Sequence, residues 1–405
     1  MALIVQKYGG TSVANIEKIN NVADRVIKEY KKGHEVVAVV SAMGDTTDEL
    51  IGLMKQITDK PNPREFDMLL TTGEQVSIAL LTMAIQEKGY EAISLTGSQV
   101  KIETDDHHSK AEIMNIDNSR LRNELEEGKI IVVAGFQGIN SQDDFTTLGR
   151  GGSDTTAVAL AISLNADRCE IYSDVDGIYT TDPRIVSSAA KLDYISYEEM
   201  LELANLGAKV LHPRSVELAK SYNLKLYIAS SFNYRPGTIV EGMDEMEKRK
   251  SVTGITYDKD EVKITVQQVP DEPGIAGQLF TRLAENNINV DMIIQNLQHN
   301  KENDITFTVN KEDLIKNKEY IMKVSNEIGS DGVEIDQDVA KVSIVGAGMI
   351  TTPGIAAKMF TALGENKINI QMITTSDIKV SCLINADDAD KALEILHESF
   401  ELDKQ

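Results

Sequence analysis

The chain has few cysteines, an excess of negative over positive charge and no long apolar run, and each property excludes a class of protein. Cys169 and Cys382 lie inside apolar stretches, which fits buried free thiols in a reducing compartment better than a disulfide framework. With 41 Lys and Arg against 64 Asp and Glu, the net charge of −23 would repel nucleic acid and anionic membranes. No run of 18 apolar residues and no signal-peptide pattern occurs, so we expect a cytoplasmic protein without membrane or nucleic-acid partners.

Several familiar site motifs are also missing. No G-x-x-x-x-G-K-[ST] phosphate loop occurs. Segment 341–354, KVSIVGAGMITTPG, begins like a dinucleotide fingerprint but has Thr351 where the third glycine is required. His107 and His108 are adjacent, which does not give the i, i+4 spacing of a helical metal pair, so DDHHSK is predicted to be a solvated loop and no metal site is expected.

The first part of the chain alternates strands with helices. Short runs rich in Val and Ile, without regular polar alternation, are typical of parallel strands covered on both faces; they lie at 2–7, 35–42, 129–136 and 169–175. Apolar residues at helical spacing separate them, most clearly at 15–31 and 154–164. The pattern predicts a doubly wound α/β domain that extends to about residue 242.

The last part of the chain is an internal repeat. Residues 273–292 match 353–372 at 12 of 20 positions, with a constant offset of 80. Each copy reads strand, Pro-Gly turn, helix, strand, strand, helix, which is the βαββα part of a ferredoxin-like unit. The second copy ends without a convincing last strand, so we expect another part of the chain, or another subunit, to cover that sheet edge.

The stretch KYGGTS at 7–12 follows the first predicted strand. Gly9 and Gly10 would let backbone N–H groups approach an anion, and the hydroxyls and the following helix N-terminus would add donors. An ordinary strand-to-helix turn would also use glycine here. Lys7 favours a phosphate site over the plain turn.

Two further clusters carry polar residues next to glycines. In TLGRGGSD at 147–154, Arg150 is suited to gripping a carboxylate through two parallel hydrogen bonds, and Ser153 with Asp154 predicts a helix N-cap. In YSDVDGIYTTDPR at 172–184, acceptors and Arg184 follow a strand, where ligands of open α/β sheets bind. Two consecutive turns would explain the same residues.

Together these motifs resemble the aspartokinases of the amino acid kinase superfamily. The matching stretches are KYGGTS, SAMGDTTDEL, TTGEQ, GFQG, TLGRGGSD, SDVDGIYTTDPR, GAKVLHPRS and the paired repeats. The resemblance spans the chain and implies an αβα sandwich with a mainly parallel sheet at 1–242, a connector at 243–260, and two ferredoxin-like α+β ACT domains at 261–338 and 339–405. ACT domains are regulatory modules that bind amino acids.

The resemblance implies transfer of the ATP γ-phosphoryl group to the side-chain carboxylate of L-aspartate, giving 4-phospho-L-aspartate. A carboxylate is ionised at neutral pH, so no general base is needed, and catalysis consists of aligning two anions and neutralising charge. Two like charges ~4 Å apart repel by ~4 kcal/mol at an effective dielectric constant of about 20. Cations are therefore required, and Lys7 and Mg²⁺ would supply them.

Carried over position by position, the resemblance assigns Lys7, Asp154 and Lys209 as catalytic, with Asp154 orienting Lys7. The residues expected to contact ATP are Lys7, Tyr8, Gly9, Gly10, Ser173, Asp174, Tyr179, Thr180, Asp182, Pro183, Arg184, Lys209 and Val210. The residues expected to contact aspartate are Ser41, Thr47, Glu74, Arg150, Gly151, Gly152 and Ser153. Arg150 would bind the α-carboxylate and Glu74 the ammonium group, although an acid at Glu74 would also suit a plain helix N-terminus. His212 is expected to be structural.

The repeats imply feedback control by an end product, lysine or threonine. The candidate effector contacts are Asp271, Gly274, Ile275, Ala276, Asn289, Asp291, Gln295, Asn369 and Ile370. The two copies differ, because Asp291 corresponds to Gln371 and Gln295 to Thr375, so their sites should not be equivalent. The same residues would also suit a dimer interface.

The sequence does not decide the oligomeric assembly, and it leaves two alternative functions open. We expect either a homodimer or an α2β2 assembly whose small subunit starts internally at Met243 or Met246. A superfamily kinase for another acid would share the glycine loops but not Glu74 together with Arg150 and two ACT repeats. An amino acid sensor with an inactive kinase domain is disfavoured by Lys7, Asp154 and Lys209.

Overall fold

The computed structural model describes residues 1–208, 210–242, 251–297 and 302–404. They form two compact units. The first comprises Met1–Ile178, Lys191–Asn205 and Lys209–Met246, and the second comprises Tyr179–Ala190, Leu206–Ala208 and Glu247–Gln405. Two short segments that the sequence assigns to the first domain, 179–190 and 206–208, thus pack with the second unit. The boundaries at 242, 260 and 338 stay predictions, and Met243 and Met246 lie outside the described residues.

The first unit alternates strands and helices, as predicted. Its strands are β1 (Leu3–Tyr8), β2 (Glu35–Val40), β3 (Ala92–Leu95), β4 (Ile102–Thr104), β5 (Ile113–Ile116), β6 (Ile130–Ala134), β7 (Gln137–Ile139), β8 (Phe145–Thr147), β9 (Arg168–Ser173), β10 (Tyr194–Ser196), β11 (Leu226–Ser230) and β12 (Thr238–Glu241). Its helices are α1 (Ile16–Lys31), α2 (Thr46–Lys55), α3 (Pro63–Leu70), α4 (Thr72–Glu87), α5 (Gly97–Val100), α6 (Ser119–Glu126), α7 (Gly152–Leu164), α8 (Tyr197–Asn205) and α9 (Pro213–Ser221).

Eight of these strands form one sheet in the order β10-β12-β11-β9-β1-β2-β6-β3. Every neighbouring pair is parallel except β11 with β12, which confirms the mainly parallel sheet. In this register Lys7 lies between Val39 and Ile171. The loops after β1, β2 and β9 therefore meet at one edge of the sheet, where open α/β folds bind ligands.

Helices α1 and α4 cover the sheet with apolar side chains. Asn15 caps α1 by accepting a hydrogen bond from the Lys18 N–H, and Ile19, Val22 and Val26 are buried in the core. The stretch Pro63–Glu87 is long and apolar enough to cross a membrane by length and composition, but half of it is buried. Since α4 packs in the same core, we interpret this stretch as a core segment.

The second unit contains the two repeats. Its strands are β13 (Gly254–Asp258), β14 (Glu261–Pro270), β15 (Ile293–Leu297), β16 (Glu302–Asn310), β17 (Gly332–Asp336), β18 (Val339–Val345), β19 (Met372–Thr375) and β20 (Lys379–Asn385). Its helices are α10 (Ile275–Glu285), α11 (Lys311–Glu327), α12 (Ile355–Glu365) and α13 (Ala389–Ser399). The first repeat forms a sheet in the order β15-β16-β14-β17 and is complete by itself.

The second repeat is completed by a strand that precedes the first. Its sheet has the order β13-β18-β20-β19, and β13 pairs antiparallel with β18, with Gly254 opposite Val345. In the first repeat β17 takes the corresponding position beside β14. Of the two predicted possibilities, another part of the chain or another subunit, the structure shows the first. Strand β13 pairs with backbone groups that would otherwise be left open to aggregation.

Candidate functional site

The carboxyl end of β1 carries an ion pair. The Lys7 Nζ lies 2.6 Å from the Asp154 Oδ1, and both side chains are nearly buried. A Cβ on Gly9 would lie 3.5 Å from the same Nζ, so the glycine leaves the ammonium group open on that side. Partial burial strengthens the attraction between the two charges, and the pair holds Lys7 in place.

Gly10 is required by a close approach between two loops. A Cβ at this position would lie 2.9 Å from the Ala42 carbonyl oxygen and 3.1 Å from that of Gly44. The Gly44 N–H donates to the Gly10 carbonyl over 3.0 Å. A short 3₁₀ turn, Gly10–Val13, follows, so α1 begins six residues beyond Gly10 rather than directly after the glycines.

Tyr8 is a core residue rather than a side-chain contact for ATP. It is fully buried and stacks on Tyr172 with 5.1 Å between ring centroids. Its hydroxyl donates to Gln6, which is part of a buried network around Glu170. The sequence did not reveal this, because the aromatic pair joins neighbouring strands far apart in the chain.

The predicted N-cap at Ser153 and Asp154 is wrong. The N-cap of α7 is Gly151, and both Ser153 and Asp154 lie buried in the first turn of the helix. A carboxylate in the first turn is favoured by the helix dipole. Asp154 therefore uses its carboxylate on Lys7 rather than to cap its own helix.

Gly151 is held against His212. Its φ angle of 69° lies in the left-handed region, and a Cβ there would lie 2.2 Å from the His212 Cγ. The ring caps α9 by accepting from the Arg214 N–H, and burial lowers the pKa of His212. The expected structural role of His212 fits this arrangement, because the ring sets the path of the loop that carries Arg150.

Arg150 is exposed at the tip of this loop. Its guanidinium makes no hydrogen bond or ion pair with any residue that the structure describes. A guanidinium with all its donors available is suited to bidentate binding of a carboxylate. Gly152 and Ser153 follow it as the first residues of α7.

Glu74 is a buried carboxylate with one satisfied oxygen. Its Oε1 accepts from the Ala42 N–H over 3.0 Å, while its Oε2 is buried without a partner among the described residues. Burial raises the pKa of Glu74 from 4.5 to about 7. Ala42 also contacts the Gly10 loop, so Glu74 belongs to the same edge of the sheet as Lys7.

The structure describes most of the remaining predicted contacts in this unit. The Ser41 N–H donates to the Tyr8 carbonyl, and Thr47 lies half-buried in the first turn of α2. Ser173 ends β9, and its carbonyl accepts from the Ser231 N–H and hydroxyl. Asp174 is exposed, and Val210 is half-buried. Lys209 lies outside the described residues.

Sequence reasoning missed Asp67. Although it is fully buried, its carboxylate bonds to His108 Nδ1 at 2.8 Å, to the Ser109 N–H and to the Thr147 hydroxyl at 2.7 Å. The prediction that DDHHSK is a solvated loop is therefore wrong for His108, which is largely buried. This network anchors the strand that leads into Gly149 and Arg150.

Sequence comparisons match both parts of the chain to known families. Residues 2–230 match the amino acid kinase family, and residues 262–322 and 342–400 each match an ACT domain. An aspartokinase of Bacillus sp. strain MGA3 is 52% identical over 402 residues, which cover 99% of this chain and 98% of the relative. The chain belongs to the aspartokinase family.

Solved aspartokinase structures share the fold. Escherichia coli aspartokinase III in complex with aspartate and ADP, titled an R-state, has a TM-score of 0.80 and 25% identity, covering 98% of this chain and 99% of that one. The same enzyme with lysine and aspartate, titled a T-state, has a TM-score of 0.76 and 26% identity, covering 98% and 99%. The predicted kinase fold followed by ACT domains is confirmed.

Five of the residues that the sequence predicts to contact ATP belong to the second unit. Asp182 and Arg184 pair with each other, since the guanidinium donates to both carboxylate oxygens at 2.7 to 3.2 Å. The Arg184 hydrogen bonds lower the pKa of Asp182. Pro183 is exposed between them, Tyr179 is half-buried and Thr180 is fully buried.

Five effector candidates line one cavity in the first ACT repeat. The cavity has a volume of about 450 Å³ and lies between the end of β14 and the start of α10. The candidates that line it are Asp271, Gly274, Ile275, Ala276 and Gln295. Asn303, a buried residue that the sequence analysis missed, donates to the Asp271 carboxylate over 2.8 Å and holds it at the rim.

The other four effector candidates do not line this cavity. Asp291 instead pairs with Lys341, a buried lysine of the second repeat that also pairs with Glu261. These two carboxylates keep the pKa of Lys341 raised against the opposing effect of burial. Asn289, Asn369 and Ile370 precede β15 and β19, and both asparagines are exposed.

Proposed function

We propose that the protein transfers the γ-phosphoryl group of ATP to the side-chain carboxylate of L-aspartate, giving 4-phospho-L-aspartate. This reaction is the first step of the aspartate pathway to lysine, threonine and methionine. The observation that carries the proposal is the pairing of Lys7 with Asp154 at the sheet edge that also holds the unsatisfied Glu74 carboxylate. One group can neutralise a transferring phosphoryl group, and the other can bind a substrate ammonium group.

The substrate contacts follow from charge. Glu74 would accept the aspartate ammonium group at its unpartnered Oε2, and Arg150 would bind the α-carboxylate with two hydrogen bonds. Ser41, Thr47 and Ser153 would add hydrogen bonds around the same substrate. With both ends of the amino acid held, the side-chain carboxylate is presented to the phosphoryl group without any base.

The nucleotide contacts combine cations with backbone donors. Lys7 would neutralise the γ-phosphoryl group, and the Gly10 N–H would approach the phosphates, whereas the Gly9 N–H already donates to the Tyr172 carbonyl over 3.3 Å. Mg²⁺ would add charge neutralisation on the phosphates, as in other kinases. The exposed carboxylate of Asp174 fits an oxygen ligand there, since the Tyr172 carbonyl two residues earlier accepts from the Gly9 N–H. Lys209 is proposed as a second cation on the family resemblance.

The pH dependence of aspartate use tests Glu74. Because protonation removes the charge that would hold the ammonium group, kcat/KM for aspartate should fall below an apparent pKa of about 7. Glu74→Gln should lower kcat/KM and abolish this acid limb. Measuring kcat/KM for aspartate from about pH 5.5 to about pH 9, in the parent and in Glu74→Gln, checks both expectations. An acid limb that survives in Glu74→Gln would contradict the assignment.

The stability of the same variant is the control for folding. The native pKa of Glu74 lies above its unfolded value, so ionising the buried group costs stability as pH rises from about 4.5 to about 7, on the order of 3 kcal/mol once the pH is above 7. Glu74→Gln should therefore have a Tm at pH 8 that equals or exceeds that of the parent. A lower activity at an undiminished Tm assigns the loss to substrate binding.

Acceptor specificity tests the reaction itself. ADP release from ATP and Mg²⁺ should depend on L-aspartate and stay at background with L-glutamate, N-acetylglutamate or a nucleoside monophosphate. Turnover with one of these instead of aspartate would favour a superfamily kinase for another acceptor. No turnover with any acceptor, together with binding of an amino acid, would favour a sensor without kinase activity.

Feedback by an end product is proposed at the cavity of the first repeat. The backbone N–H groups at Ile275 and Ala276 open a helix of 11 residues and suit an α-carboxylate, while Asp271 and Glu272 suit ammonium groups. Two carboxylates favour lysine over threonine, and E. coli aspartokinase III has been solved in complex with lysine. A coupling of about 1–3 kcal/mol would be ordinary for such a link.

Asp271 gives this proposal its test. Asp271→Asn should raise the lysine concentration for half-inhibition by about tenfold or more, corresponding to about 1.4 kcal/mol, while activity without lysine is unchanged. The matched control is Glu319→Gln, which changes an exposed carboxylate on α11 of the same repeat. Lysine should inhibit this variant at the same concentration as the parent. Equal sensitivity of Asp271→Asn and the parent would contradict this cavity as the lysine site.

Assembly and location complete the proposal. We propose a homodimer, or an α2β2 assembly with a small subunit that starts at Met243 or Met246, and sedimentation of the full chain would separate the two. Both cysteines are free and buried, which supports the cytoplasm as the compartment.

A further inference from the structure

The loop that carries Arg150 is not fixed by the arginine itself. Gly149 and Gly151 flank the arginine with φ angles of 74° and 69°, in the left-handed region that favours glycine. The Arg150 guanidinium has no hydrogen bond or ion pair among the described residues. The position of the guanidinium therefore depends on what fixes the backbone of residues 147–149, which lead into the loop from β8.

Asp67 on α3 holds both this backbone and the segment beside it. Its side chain is fully buried, and its Oδ1 accepts from the Thr147 hydroxyl over 2.7 Å. Its Oδ2 accepts from the Ser109 N–H over 2.9 Å and lies 2.8 Å from the His108 Nδ1. Both carboxylate oxygens thus have partners, as a buried carboxylate requires. One side chain joins α3, residues 108–109 and the end of β8.

Contacts of the backbone link Asp67 to the glycine before Arg150. The Ala111 N–H donates to the Thr147 carbonyl over 2.9 Å, so the segment 108–111 lies beside the end of β8. A Cβ on Gly149 would lie 3.1 Å from the Ser109 carbonyl oxygen, so the loop packs directly against a residue that Asp67 binds. A shift of Ser109 or Thr147 would therefore move Gly149, and Arg150 with it.

Arg214 on α9 adds two hydrogen bonds to the same backbone. Its guanidinium donates to the Leu148 carbonyl over 3.2 Å and to the Ala111 carbonyl over 3.1 Å. The Leu148 N–H donates to the Phe136 carbonyl over 2.9 Å. The chain is thus held at the two residues directly before Gly149, which fixes the start of the loop before any substrate binds.

We propose that Asp67 is a positioning residue for binding of the substrate α-carboxylate: by holding Thr147 and Ser109, it keeps the loop in the conformation that presents Arg150. This inference rests on the proposed kinase function. Because Asp67 is fully buried, it acts through Arg150 and does not contact the substrate. A loosened loop must be ordered when aspartate binds, so loss of Asp67 should raise KM for aspartate rather than lower kcat.

Variants at the two ends of the contact between Asp67 and Thr147 test this role. Asp67→Asn keeps the volume but turns one acceptor oxygen into a donor group, which leaves a neighbouring donor without a partner. KM for aspartate should rise about 5- to 20-fold, while kcat and KM for ATP stay within about twofold. Thr147→Val removes only the hydroxyl and should raise KM for aspartate about 2- to 5-fold. Thr147→Ser keeps the donor and should have the KM of the parent.

A double-mutant cycle with Arg150 separates positioning from general damage to the fold. In Arg150→Ala there is no guanidinium to place, so adding Asp67→Asn should leave KM for aspartate within about twofold of the Arg150→Ala value. A purely structural loss would instead multiply the effects of the two substitutions. If Asp67→Asn does not fold, the same cycle with Thr147→Val decides.

Glu199→Gln is the matched control. Glu199 is a buried carboxylate of α8 in the same unit, and its Oε2 accepts from the Ser196 N–H and hydroxyl. Its removal should leave KM for aspartate unchanged. An equal rise in Glu199→Gln, multiplied effects in the cycle, or an unchanged KM in Asp67→Asn and Thr147→Val beside a raised KM in Arg150→Ala overturns the inference. Absence of aspartate-dependent turnover in the parent overturns the proposed function instead, so the two failures are distinguishable.

Discussion

Lys7→Met is expected to lower kcat about a thousandfold, the largest loss of any single change at the site. The methionine keeps the volume of the lysine but removes the charge that would neutralise the transferring phosphoryl group, where one such donor is worth about 10²–10³-fold. KM for aspartate should change little, because Lys7 is proposed to contact only the phosphoryl group. Steady-state kinetics with aspartate varied at saturating ATP would measure both quantities.

Asp154 supplies the comparison for Lys7. Lys7→Met leaves a nearly buried carboxylate without its partner, so part of the loss would be structural. The double variant Lys7→Met, Asp154→Asn removes both charges and should recover stability but not kcat. Asp154→Asn alone should cost about tenfold, since it loosens Lys7 without removing it. Recovery of kcat in the double variant would contradict a direct role for Lys7.

Arg150→Ala is expected to raise KM for aspartate about 10- to 100-fold with a smaller effect on kcat and on KM for ATP. A bidentate bond between two charged groups is worth about 1.5–3 kcal/mol, which corresponds to this range. Arg150 is exposed and makes no hydrogen bond or ion pair with other described residues, so its removal should not alter the Tm. Arg150→Lys should recover only part of the affinity, because an ammonium group cannot form the two parallel bonds.

Arg120→Ala is the matched control for Arg150. Arg120 is an exposed arginine of α6 in the same unit, and its ion pair with Glu124 is long, at 3.8 Å. Its removal changes the net charge by the same amount and should leave KM for aspartate unchanged. If both variants raised KM equally, the effect would come from the overall charge, and the assignment of Arg150 to the α-carboxylate would be wrong.

The architecture could be predicted because it depends on local sequence patterns. Parallel strands follow from short Val and Ile runs, and the two repeats follow from identities at a fixed offset. The open edge of the second repeat was visible as a missing strand. The strand that fills this edge could not be predicted, because β13 lies more than 80 residues before its partner β18 and no sequence motif links the two.

The site was predictable only in part, for the same physical reason. Local motifs indicate Lys7, Arg150 and the glycines, but the role of a side chain depends on what the fold brings beside it. Asp154 looks like a capping residue until Lys7 lies 2.6 Å away, and His108 looks solvated until Asp67 accepts from it. Neither pairing can be inferred from the spacing of residues in the sequence.

Trapping the product with hydroxylamine shows whether the side-chain carboxylate of aspartate accepts the phosphoryl group. An acyl phosphate reacts with hydroxylamine to give a hydroxamate, and the position of the new group identifies the carboxylate that was phosphorylated. We expect β-aspartyl hydroxamate that requires ATP, Mg²⁺ and L-aspartate together and is lost in Lys7→Met. ADP release without any hydroxamate, or a hydroxamate at the α-carboxylate, would contradict phosphoryl transfer to the aspartate side chain.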